Sequence, residues 1–139
     1  MVQLIVGKKG KGKTKCLLDK VNSEVKTASG NVVYLDKSTQ HMFELNNKIR
    51  LICVPDYGVD NSDQFLGFVS GILSQDHDLQ QMYFDSFLKI AHLQESELAA
   101  AVDKLLKLSE KFSVDFILSV SVDEGELPES LQSLVTISL

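Results

Sequence analysis

The sequence predicts an α/β fold, a three-layer sandwich built on a mainly parallel sheet of five or six strands. Two observations carry that expectation. Short runs of β-branched and aromatic residues alternate with stretches whose apolar residues recur at helical spacing. The short runs are apolar at consecutive positions, as strands buried on both faces must be, and helical stretches join them.

Val2-Gln3-Leu4-Ile5-Val6 reads as the first strand. From Thr14, Leu17, Leu18, Val21 and Val25 follow helical spacing, and Gly30 offers a stop. Val32 to Leu35 forms a second strand ending in Asp36, and Leu51 to Val54 a third, stopped by Pro55. Ser62 can cap a helix whose inward face is Phe65, Phe68, Val69 and Ile72. Gln81 to Phe84 is a fourth strand ending in Asp85, followed by a long helix near Glu95 to Phe112. Phe116 to Ser121 and Leu134 to Ser138 complete the sheet. Ligands of such sheets sit at the carboxyl ends of the strands, so chemistry is expected after Val6, Leu35, Phe84 and Ser119.

With 139 residues, the chain suits one domain spanning 1–139. Its hydrophobic content of 44% and charged content of 24% exclude wholesale disorder. No apolar run approaches the roughly 20 residues of a membrane span. Gly7 and Lys8 interrupt the first apolar stretch, unlike a secretory or transit leader. Cys16 and Cys53 are isolated, which points to a reducing, cytoplasmic setting rather than a zinc or redox pair. The net charge of −5 is unevenly spread: the first fifty residues hold ten basic residues and four acids. A basic segment on an acidic chain indicates a local anion site.

That site is legible. Gly7-Lys8-Lys9-Gly10-Lys11-Gly12-Lys13-Thr14 matches G-x-x-x-x-G-K-[ST] between a strand and a helix. Glycines let backbone N–H groups curl around phosphates, and the helix presents its positive end. Lys13 is expected on the β- and γ-phosphates, Thr14 on magnesium, and Lys15 in the same turn. A magnesium-holding acid belongs at the end of an apolar strand. Asp85 fills that place, with Asp36 as the alternative.

Gly7 to Thr14 and Met82 to Phe87 resemble the two Walker motifs of P-loop NTPases, within the ATPase group that includes RecA-like proteins. Val33 to Ser38 resembles the second strand of those cores, and the chain as a whole is similar to short bacterial P-loop proteins. The resemblance implies a P-loop fold with RecA-like strand order, one strand inserted between the Walker strands, and ATP with Mg2+ as ligands. It also implies that Ser119 or Ser121 occupies the strand carrying a phosphate-sensing residue. One departure stands out. The glutamate that polarises water in such ATPases, beside the Walker B aspartate or ending the second strand, is replaced here by Ser86 and by Lys37-Ser38.

Hydrolysis is therefore expected to be slow, and the catalytic group stays open among Glu44, His41 and Ser119. Asn47-Lys48-Ile49-Arg50 lacks the aspartate of a guanine-reading motif, which favours adenine nucleotides. Arg50, the only arginine, cannot build a kinase lid. Three functional readings follow: a minimal ATPase, a nucleotide-responsive module that acts on a protein partner, and a DNA-associated accessory suggested by the basic first third. Asp76-His77-Asp78 reads as a solvated loop, His92 as packed, and the acidic run Glu124, Glu126 and Glu129 as a solvated face.

Overall fold

The computed structural model describes residues 1–139 and contains six strands: β1 (Val2–Val6), β2 (Asn31–Asp36), β3 (Ile49–Cys53), β4 (Leu79–Phe84), β5 (Asp115–Val120) and β6 (Val135–Ser138). All pair in parallel, in the order β3-β2-β4-β5-β1-β6. The sheet thus has six strands and no antiparallel member, and β5 lies between β1 and β4.

This order dictates the layers. Right-handed crossovers place a helix on one face when the chain steps one way across the sheet, and on the other when it steps back. The step from β1 to β2 passes through α1 (Lys13–Glu24). The return steps use α2 (Ser62–Gln75), then α3 (Phe87–Ile90) and α4 (Leu98–Phe112), then α5 (Glu129–Gln132). The core divides accordingly. Leu17, Leu18 and Val21 of α1 pack with Ile5, Tyr34, Tyr83 and Ile117 in a cluster of 10 buried residues. The opposite face packs α2 to α5 against Leu4, Leu35, Phe84 and Leu118 in a cluster of 28.

Strand alternation then assigns the polar residues. Asp36, two after Tyr34, and Asp85, two after Tyr83, lie on the α1 face, as does Ser119 beyond Ile117. Two neighbouring pairs, β1 with β5 and β2 with β4, send their connections to opposite faces. A crevice opens at the carboxyl edge of each such pair.

Several boundaries differ from the sequence reading. The cap of α2 is Asn61, whose side chain accepts from Gln64 N at 2.9 Å, and Ser62 is the first helical residue. Strand β3 starts at Ile49 and takes in Arg50, while Val54 begins a 3-10 turn. Helix α1 ends at Glu24, well before Gly30, whose backbone lies so close to Asp78 that no side chain fits there. No helix is long and apolar enough to cross a membrane.

Candidate functional site

Between β1 and α1 the chain turns through residues 7–12 with Gly10 at φ 87° and Gly12 at φ 97°. Side-chain-bearing residues are strained in this left-handed region, so glycine at these two positions lets the loop curl. No side chain caps α1, and its first turn holds no acid. Its N-terminal N–H groups are left for an anion. Lys13 is buried and bends back so that its Nζ donates to the carbonyl of Lys8 at 3.1 Å. Burial pushes the Lys13 pKa below its usual value, and the negative charge of Asp85 opposes that shift.

Asp85 follows β4 and is 2% exposed. Its Oδ1 accepts from Thr14 Oγ1 at 3.0 Å and from Ser119 Oγ at 3.2 Å. Its Oδ2 accepts from the Tyr34 hydroxyl at 2.8 Å. Three elements therefore aim donors at one carboxylate, the usual way a buried charge is retained. Burial, then Asp85, push the Tyr34 hydroxyl pKa far up, so the hydroxyl keeps its proton and donates. Ser86 adopts a left-handed conformation at φ 56°, and its N–H donates to Ser119 Oγ at 2.8 Å.

A cleft of about 360 Å³ lies over this arrangement. Its walls are Lys9, Gly10, Gly12, Lys13 and Thr14 on one side, Asp85, Ser86, Ser119 and Ser121 on the other, and Lys37 at the rim. None of them is apolar, and Asp85 is the single carboxylate.

Asp36, the competing acid, ends the neighbouring strand β2 and does not line this cleft. It is 1% exposed. Its Oδ1 accepts from Lys37 N at 2.7 Å, while its buried Oδ2 has no partner. Burial raises the Asp36 pKa, Asp85 raises it further, and the Lys37 N–H and the His41 and Lys37 charges act against them. His41 and Glu44 sit on the 3-10 turn between β2 and β3, joined through His41 Nδ1 and Glu44 Oε2 at 2.6 Å. The Glu44 carbonyl accepts from Asn22 Nδ2 of α1 at 2.8 Å. His41 and Glu44 line a second cleft, of about 420 Å³, with Thr14, Lys15 and Asp19.

The structure thus gathers Lys9, Gly10, Gly12, Lys13, Thr14, Asp85 and Ser119 into one cleft, leaves Gly7, Lys8 and Lys11 out of its lining, and sets Asp36, His41 and Glu44 beside it. Lys15 pairs with Asp19 at 3.4 Å, on the second cleft rather than the first. Arg50 lies on edge strand β3, separated from β1 by three strands. Asp76 accepts from Asn31 Nδ2 and from Asp78 N, which makes the 76–78 segment a tied turn at the opposite edge of the sheet. His92 is an exposed turn residue at φ 55° whose Nε2 meets the Val59 carbonyl at 3.0 Å, so it is not a packed helical residue.

Two features escaped the sequence reading. Tyr34 looked like one more apolar strand residue, although its spacing two before Asp36 placed it on the acid's face. The acidic run is exposed as expected, yet it also makes a contact that its sequence does not announce. Glu126 and Asp123 pair with Lys8 at 3.2 and 3.7 Å, tying that run to the glycine loop. No protein-family model matches this chain, and no curated protein matches it.

Proposed function

We propose that this chain is an ATP-binding P-loop domain with slow intrinsic hydrolysis. The observation that carries the reading is the arrangement around Lys13: an ammonium at an uncapped helix N-terminus, folded back over a left-handed glycine loop, beside a threonine–aspartate pair. Placement of β5 between β1 and β4 supports the RecA-like order that the sequence resemblance implies.

The donor set fits the ligand. Triphosphate oxygens would lie along the loop N–H groups and Lys13, with Lys9 and Lys37 adding positive charge at the rim. Thr14 and Asp85 would hold magnesium, which when bound neutralises charge on the phosphate oxygens. Ser119 keeps Asp85 and the Ser86 N–H in register with that site. Absence of a guanine-reading motif favours adenine.

Hydrolysis breaks the bond between the γ-phosphorus and the β–γ bridging oxygen, with water as nucleophile. Deprotonating or orienting that water calls for a carboxylate facing the cleft. Asp85 already accepts from Thr14, Ser119 and Tyr34 and is assigned to magnesium, and the side chain after it is a serine. Turnover is accordingly expected below about one per minute, far under the median enzyme rate. A partner chain that supplies a carboxylate or arginine would raise it. Equilibrium ATP binding measured beside single-turnover hydrolysis tests the reading. Binding that needs Lys13, with slow turnover, is the expected result; no ATP binding in the presence of magnesium overturns it. A domain that binds without measurable turnover would be the nucleotide-responsive module instead.

A further inference from the structure

We infer that Asp36, Asp85 and His41 form a binding site for one divalent transition-metal ion, with Glu44 orienting the histidine. The site needs no nucleotide, so it does not rest on the ATP reading. Adjacent parallel strands bring the two acids together, because Leu35 lies opposite Phe84 in the β2–β4 register. The β2–β3 connection then folds back over the α1 face and delivers His41. One donor atom from each of the three residues lies within 4.8 Å of the other two. An ion with bonds of about 2.0–2.2 Å bridges that span after small side-chain adjustment.

The unpartnered oxygen of Asp36 points independently to a ligand. Asp36 is 1% exposed, its Oδ1 is fixed by Lys37 N, and its Oδ2 is buried without a hydrogen bond. A carboxylate oxygen in that condition is destabilising unless a donor or cation meets it. Asp85 has the matching capacity. Of its four lone-pair positions, Thr14 and Ser119 use the two on Oδ1 and Tyr34 uses one on Oδ2, which leaves one open on Oδ2. A divalent cation would also relieve the repulsion between two buried acids.

The histidine is prepared in the way metal-binding histidines are. Glu44 Oε2 engages Nδ1 at 2.6 Å, which leaves Nε2 as the nitrogen with a free lone pair. Asn22 anchors Glu44 through its backbone carbonyl at 2.8 Å. Two carboxylates and one imidazole suit manganese, iron, cobalt or zinc, whereas magnesium and calcium favour all-oxygen sets. The cleft lined by Thr14, Lys15, Asn22, His41 and Glu44 gives access from solvent.

Cobalt(II) added to chelator-treated, nucleotide-free protein is the direct probe. The expected result is one equivalent bound, a visible d–d absorption band and a raised Tm. His41→Ala and Asp36→Asn should each weaken binding at least tenfold, and Glu44→Gln about tenfold. Lys13→Ala removes a positive charge near Asp85 and should bind cobalt at least as tightly as wild type, which separates this site from the ATP reading. His41 is partly exposed, so its variant tests the site without removing a core residue. No band in wild type, binding only when ATP is present, full binding by His41→Ala, or equal competition by magnesium at the same concentration would each overturn the inference.

Discussion

The two faces of the sheet divide the work of the molecule. The face under α2 to α5 buries 28 apolar residues in one cluster, including Phe65, Phe84, Phe87 and Phe116 in edge-to-face contacts at 5.5–6.0 Å between centroids. The face under α1 buries ten, and at its carboxyl end carries Lys13, Asp36, Asp85 and Ser119, each under 9% exposed. One face is filled by dispersion and the hydrophobic effect, while the other adds to its smaller apolar cluster a carboxyl end held by hydrogen bonds whose donors come from three separate elements. The polar groups of the proposed phosphate site are thereby held by a layer that does not supply most of the apolar stabilisation. Damage to either face should therefore register in a different measurement.

Phe84→Ala should have the largest effect on stability. Phe84 is fully buried and touches Phe65, Phe87 and Phe116, so truncation should cost about 3–5 kcal/mol of unfolding free energy. Urea unfolding would read this as a lowered midpoint at unchanged slope. A loss below about 1 kcal/mol would mean that the large cluster is not the main source of stability.

Lys13→Ala should behave in the opposite way. The side chain makes one hydrogen bond in the protein, to the Lys8 carbonyl, so Tm should hold within a few degrees. ATP affinity should fall at least tenfold, about 1.4 kcal/mol, because a charge-assisted phosphate contact is lost. Calorimetric titration measures it. Equal affinity in wild type and variant would remove the phosphate cradle from the proposal.

Tyr34→Phe sharpens the boundary between the faces, since it deletes a single oxygen from the α1 side. Asp85 Oδ2 would lose its donor at 2.8 Å, at a cost of about 1–3 kcal/mol. Thermal unfolding measures the cost. A neutral result would show that water or another group reaches Oδ2.

How much of this was legible from sequence depends on how local each feature is. Strands β1, β2, β4 and β5 and the glycine loop are written in contiguous residues, and apolar runs followed by small or charged residues were enough to place them. Pairing was not written there. Nothing local says that β2 and β4 are neighbours, so Asp36 and Asp85 looked like competitors for one role when they are adjacent side chains. Tyr34 went unrecognised for the same reason, because its partner lies 51 residues away. The Lys8–Glu126 tie joins residues even further apart, and a run of acids resembles a solvated loop until the fold brings a lysine to it. Glu44 stands among the catalytic candidates in the sequence, yet its direction is set by the bond to His41.

The smallest effect is also the most selective, and it concerns the one buried group that lacks a partner. Asp36 resists ionisation because it is buried, and because Asp85 lies beside it. His41 and the Lys37 charge and N–H only partly offset these effects, and Tyr34 faces Asp85 instead. The sign follows from proton counting. Above the ordinary carboxylate range the unfolded chain has released this proton while the folded chain still holds it. The Asp36 contribution to stability therefore falls as pH rises through its raised pKa, then levels off. Asp36→Asn cannot ionise, and its amide oxygen can still accept from Lys37 N. In chelator-treated protein the variant should match wild type near pH 3 and exceed its Tm by a few degrees at pH 7. A difference that is constant with pH would mean that the penalty is steric rather than electrostatic. A variant less stable at pH 7 would mean that Asp36 is ionised and favourably paired there, by a cation retained through chelation or by His41.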